Sequence, residues 1–117
     1  MRNIRIILLA ACLAGNVFPS AAQVASPKEQ QDYSFALGLF KDAQYRLAFD
    51  QFVDFLKNYP ESNSGIDAEY YCAECLYQQE YFTDARTRFR SLREKHPRSS
   101  LADDAAFREG EAAFRQG

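Results

Sequence analysis

The chain has 117 residues and a formal charge of −2, which limits it to one small domain. Fourteen basic residues stand against 16 acidic ones, so the charge balance argues against a nucleic-acid partner, which asks for a basic stripe. Phe and Tyr are frequent and spread along the chain, enough to build a core, and the composition is not that of a disordered segment.

Met1 to Arg5 carry two arginines and no acid, and an apolar run from Ile6 to Ala14 follows. The run is shorter than the roughly 20 residues that span a bilayer. With Ser20-Ala21-Ala22-Gln23 behind it, it reads as a secretory signal peptide over residues 1–22, cut after Ala22. A competing reading takes Leu9-Ala10-Ala11-Cys12 as a lipobox, with a lipid on Cys12 as the one route to membrane contact. Removing Arg2 and Arg5 leaves 12 basic and 16 acidic residues, a charge of −4. Residues 23–30 are a lead-in. Within them Ser26-Pro27-Lys28-Glu29 predicts a helix start: serine caps the free amides, proline suits the first turn, and the glutamate completes a capping box.

From there the chain repeats itself with an offset of 37 residues. Tyr45 falls on Phe82, Ala48 on Ala85, Phe52 on Phe89, Phe55 on Leu92, Tyr59 on His96 and Pro60 on Pro97. Ala36 falls on Ala73 and Gly110, Tyr33 on Tyr70 and Phe107, and Phe40 on Tyr77 and Phe114. Each unit predicts two helices. In the first unit, Phe35, Ala36, Leu39 and Phe40 keep helical spacing. A second helix over 46–57 gathers Leu47, Ala48, Phe52, Phe55 and Leu56 on one side and stops before Pro60. Turn chemistry from Pro60 to Gly65 separates the units. The pattern restarts over 66–79 and 83–95, breaks at Pro97, and opens a fifth helix near Ala102. The units run over 31–65, 66–102 and, incomplete, 103–117. Gly117 matches Glu80, where a second helix should begin, so the count is two and a half. The expectation is either an amino-terminal piece of a longer protein, whose activity lies elsewhere, or a last helix serving as a cap.

The small residue of the first helix, an alanine twelve positions on, an aromatic four after that and a closing proline are Ala36, Ala48, Phe52 and Pro60, then Ala73, Ala85, Phe89 and Pro97. This spacing resembles the tetratricopeptide repeat, in a form longer than its usual period of about 34. The usual glycine is Ala36 and Ala73 here and returns as Gly110. Tyr59-Pro60-Glu61-Ser62 and Ala68-Glu69-Tyr70 are similar to the repeats of the bacterial envelope subgroup, which includes the Tol-Pal accessory protein and the lipoprotein BamD. The chain departs from the first in lacking a coiled-coil segment and from the second in its poor lipobox. The resemblance implies an all-α solenoid of antiparallel helix pairs, five helices in all after the signal peptide. It also implies a non-catalytic scaffold, exported to the periplasm or outer-membrane periphery, that holds a segment of a protein partner in its concave groove. No cofactor is implied.

The groove positions that the resemblance carries over are Tyr33, Leu37, Phe40 and Lys41, then Tyr70, Glu74, Tyr77 and Gln78, then Phe107, Glu111, Phe114 and Arg115. Tyr70 and Tyr77 are the expected central anchors. The aromatics are large rigid surfaces suited to peptide capture, and the same spacing also serves packing between units. Cys72-Ala73-Glu74-Cys75 fits C-x-x-C, but it lies in mid-helix rather than at a helix start. Packing is therefore expected ahead of a vicinal disulfide or a thiol-redox pair. His96, the one histidine, is expected as a helix-end residue with no acid and thiol set about it. Arg86, Arg88, Arg90, Arg93 and Lys95 read as a solvated outer face, or as a contact for an acidic partner or anionic lipid. No phosphate-binding glycine loop, paired-carboxylate site or G-x-S-x-G is present.

Overall fold

A computed structural model describes residues 24–117. The expected leader, its cleavage point and Cys12 lie outside the described residues. Helix α1 (Pro27–Lys41) starts where serine capping places it: the Glu29 amide donates to Ser26 Oγ at 3.1 Å, and Pro27 occupies the first turn. Helices α2 (Tyr45–Asn58), α3 (Gly65–Gln78), α4 (Phe82–Lys95) and α5 (Leu101–Gln116) follow. The expected boundaries of α2, α3 and α4 and the start of α5 fall within one residue of these.

The 37-residue offset is written into the backbone as well as the side chains. After α1, the amides of Ala43 and Gln44 donate to the carbonyls of Phe40 and Leu39. After α3, the amides of Glu80 and Tyr81 donate to those of Tyr77 and Leu76. This double bond pattern needs a left-handed residue just past the helix, and Ala43 (φ 60°) and Glu80 (φ 67°) adopt it. Between units, Ser62 Oγ accepts from the Ser64 amide as Ser99 Oγ accepts from the Leu101 amide, both at 3.1 Å. The two turns therefore hand the chain on in the same direction each time.

Each helix packs on the next in sequence, from α1 against α2 through to α4 against α5. The first helices of successive units also touch, α1 with α3 and α3 with α5, whereas the backbones of α2 and α4 do not meet. The chain is thus an all-α domain of five described helices in a helical-repeat arrangement. Ala36, Ala48, Ala73 and Ala85 are fully buried, as are Phe52 and Phe89. A bulky side chain at the alanine positions would force the helix backbones apart, and the two rings fill the space one turn on.

Two residues expected among the apolar faces lie outside. Phe35 is 58% exposed and Leu47 49%. The repeat explains both. Phe35 matches Cys72, which is buried in the core that α3 shares with α2, and no described helix precedes α1 to cover it in the same way. Leu47 matches Asp84, a position on the outer side of the second helix in both units.

Candidate protein-docking face

The residues expected to line a groove divide into two groups. In the first two units the aromatic positions of the first helix pack on their own second helix. Tyr33 meets Phe52 and Phe55 with ring centroids 6.0 and 5.4 Å apart, and Phe40 meets Tyr45 at 5.4 Å and Tyr71 at 4.9 Å. Tyr70 meets Phe89 at 5.5 Å, and Tyr77 meets Phe82 at 5.3 Å. All four rings are half-buried. Burial pushes the Tyr33 hydroxyl up to about 12, with the Asp67 carboxylate adding to it. Lys41 is exposed at the end of α1.

In the third unit the matching rings are open. Phe107 is 66% exposed and Phe114 85%, since no described helix lies where α2 and α4 lie on α1 and α3. With Tyr77, Ala106, Gly110, Glu111 and Arg115 they line a cleft of about 540 Å³. Gly110, the match of Ala36 and Ala73, is exposed. Pro60 and Pro97 stand in the turns that close α2 and α4 and are also exposed.

Beneath this cleft a charged cluster joins α3 to α5. Glu74 is 4% exposed. Its Oε1 accepts from Arg108 Nη2 at 2.9 Å and from Gln78 Nε2 at 3.2 Å, while Oε2 is buried without a partner. The Arg108 guanidinium also donates to Glu111 at 2.7 Å and lies 4.9 Å above the Tyr77 ring. Burial opposes the Arg108 charge, but Glu74, Glu111 and the Tyr70 hydroxyl outweigh it and hold its pKa above the ordinary arginine value. Glu74 thus sits inside the joint between units rather than on a surface, and Arg108 fixes one side of Tyr77.

Cys72 and Cys75 are fully buried free thiols. They match Glu109 and Ala112 of α5, so C-x-x-C here occupies the face of a first helix that rests on the preceding second helix. Burial pushes both thiols up to about 12, leaving them protonated at neutral pH and poor nucleophiles. Among the described residues no three His, Cys, Asp or Glu side chains gather to hold a metal ion, and no helix is long and apolar enough to cross a membrane.

The basic run of α4 lies at the surface, with Arg88, Arg90 and Lys95 exposed, and most of its cations also meet partners within the chain. Arg90 and Arg93 both bind Glu109, at 2.8 and 2.9 Å, Lys95 reaches Glu69 at 3.3 Å, and Arg88 lies 5.1 Å over the Phe49 ring of α2. Arg86 is half-buried, its Nε without a partner. Sequence reasoning missed the acids that these cations meet. It also missed Glu69 beside His96, whose Nε2 lies 3.6 Å from Glu69 Oε2. A signal existed: Glu69 matches Asp32, and Asp32 accepts from the Tyr59 hydroxyl at 2.7 Å. In both units the residue ending the second helix reaches an acid on the first. Nothing comparable announced Arg108, whose matches are Tyr71 and Ser34.

Taken together, these features define the class, a small all-α helical-repeat domain whose last described helix carries an open aromatic face. No protein-family model matches the chain, and no curated protein matches it.

Proposed function

We propose that the chain is a non-catalytic interaction scaffold of tetratricopeptide type, exported to the bacterial envelope, that holds a helical or extended segment of a protein partner. The observation that carries this reading is the pair Phe107 and Phe114, both exposed and flanking a cleft with Tyr77 at one wall and Glu111 and Arg115 at its rim. Exposed aromatics around a concave surface with charges at its edge form a common protein-docking arrangement. The contact pattern agrees. The backbones of the first helices of successive units meet and those of the second helices do not, which suits a stack bent with its first helices on the inner side. The basic, apolar and small-residue order of residues 1–22 supports export.

Photo-crosslinking in the producing cells tests this. A crosslinking residue at Phe107 or at Phe114 is expected to give one adduct of defined mass, and the same residue at Asp50 or Phe35 none. Equal labelling at all four positions, or none at Phe107 and Phe114, would refute a docking role for this face.

A further inference from the structure

We infer that the segment held on this face is the same helix of a second copy, so that two chains associate through antiparallel α5 helices. This rests on the docking role proposed above and names its partner. Three features of α5 point to it. Phe107 and Phe114 lie on one exposed face, placed symmetrically about the middle of Gly110 and Glu111. Gly110 stands at that centre, and a Cβ added there would meet nothing within 4 Å, so a second helix can approach closely where the two cross. In an antiparallel pair about this centre, each Phe107 faces the second copy's Phe114 across a glycine crossing point.

The charges select the direction. Asp104, Arg108, Glu111 and Arg115 are spaced four, three and four residues apart, which puts them along one edge of the helix beside the two rings. Read in reverse, the order of signs is inverted. The charged edge is symmetric about a point one residue before the centre of the rings, an offset within the reach of these side chains. An antiparallel pair therefore brings Asp104 near the second copy's Arg115 and Arg108 near its Glu111, four opposite pairs by symmetry. A parallel pair would set like charge on like throughout. Within one chain, Asp104 makes no ion pair among the described residues, and Arg115 reaches Glu80 at 3.6 Å, with both side chains largely exposed, and lies 4.9 Å over the Phe82 ring. Asp104 is free to pair outward, and Arg115 exchanges two weak surface contacts for such a pair, while Arg108 keeps its bond to Glu74. The shared surface is one helix of 16 residues on each side, about 24 Å long, so the dimer is reversible rather than obligate, and the like-to-like contact closes at two copies.

Sedimentation of the protein as recovered from its producing cells, from micromolar to millimolar concentration, tests this. A monomer–dimer equilibrium without larger species is expected. Gly110→Gln should raise the melting temperature, because a helix-interior glycine is replaced in open space, yet weaken dimerisation about tenfold or more by blocking the crossing. Asp104→Arg or Arg115→Asp alone should weaken it, and the two together should restore it. A chain that stays monomeric, a dimer indifferent to Gly110→Gln, a double variant no better than the singles, or a ladder of larger species would each overturn the inference. A crosslinked adduct at Phe114 whose mass is not twice that of the chain overturns the inference as well, and leaves the docking role standing.

Discussion

Helices α3 and α5 occupy matching places in successive units, yet matching residues have opposite fates on them. Tyr70 and Tyr77 lie against Phe89 and Phe82 of α4. Their matches Phe107 and Phe114 are open to solvent. In a helical repeat, then, an aromatic position is neither core nor surface by its own chemistry; the helix that follows decides. The residue types agree with the difference. Tyr70 and Tyr77 keep contact with Arg108 at the edge of the joint, while the two phenylalanines carry no polar tip to satisfy, and burying them against another helix would be favourable throughout.

The largest expected effect separates the two situations directly. Phe89→Ala removes a fully buried ring and should cost about 3–5 kcal/mol, a large share of the roughly 5–15 kcal/mol that holds a domain together. Phe107→Ala and Phe114→Ala should change monomer stability by no more than about 0.5 kcal/mol. Urea unfolding followed by circular dichroism, at a concentration where the chain is monomeric, checks this. Comparable losses at Phe89 and Phe107 would show that the third-unit rings are core.

A second comparison lies between the two joints that connect units. Where α3 rests on α2, the contact residues are Cys72 and Cys75. Where α5 rests on α4, the matching residues are Glu109 and Ala112, and Glu109 is held by Arg90 and Arg93. Burial alone would raise the Glu109 pKa, but the two arginines outweigh it and keep it below the ordinary 4.5. The joints should therefore fail at opposite ends of the pH scale. Burial raises both thiols from 9.0 to about 12, so their contribution is complete below pH 9 and is lost as pH climbs through 9 toward 12. The slope for each thiol approaches about 1.4 kcal/mol per pH unit. The Glu109 contribution is complete above 4.5 and is lost as pH falls below it. Stability measured across the pH range should show the alkaline arm flattened by Cys72→Ala with Cys75→Ala, and the acid arm flattened by Glu109→Gln. An alkaline arm unchanged in the double alanine variant would mean that the thiols are not buried.

These comparisons also show what could be read from sequence. The helices, the four buried alanines and the two buried phenylalanines follow from spacing, because every unit meets the same internal demand. Phe35 and Leu47 did not follow: periodicity tells which residues share a face but not whether a neighbour covers it. Glu74 did not follow either. At its position the first two units carry Leu37 and Glu74, and only Arg108, brought from 34 residues away by the fold, makes burial of a carboxylate tolerable. The role of the α4 cations was hidden for the same reason, since Glu69 and Glu109 are remote in sequence and adjacent in space. What the repeat did contain was the link from Tyr59 to Asp32 and from His96 to Glu69, which needed only that acids be matched at the same offset as aromatics.

The smallest expected effect bears on the turns, which the first two units share. Ala43 and Glu80 both hold left-handed backbone at φ 60° and 67° so that the amides after α1 and α3 can reach back to two helix carbonyls each. That conformation presses a Cβ toward the following carbonyl oxygen, at about 1–2 kcal/mol for an ordinary residue, and glycine is free of it. Glycine also makes the unfolded chain more flexible, which takes back part of the gain. Ala43→Gly should therefore stabilise the chain by about 0.5–1 kcal/mol. Glu80→Gly should do nearly as much, less the weak 3.6 Å pair with the exposed Arg115, which is worth little in water. The two sites lie in separate turns with no shared partner, so their effects should add. The midpoint of denaturant unfolding would rise for each variant and further for the pair. A fall in either would mean that its turn is set by something other than the backbone bonds, and the equivalence of the two units would fail at that point.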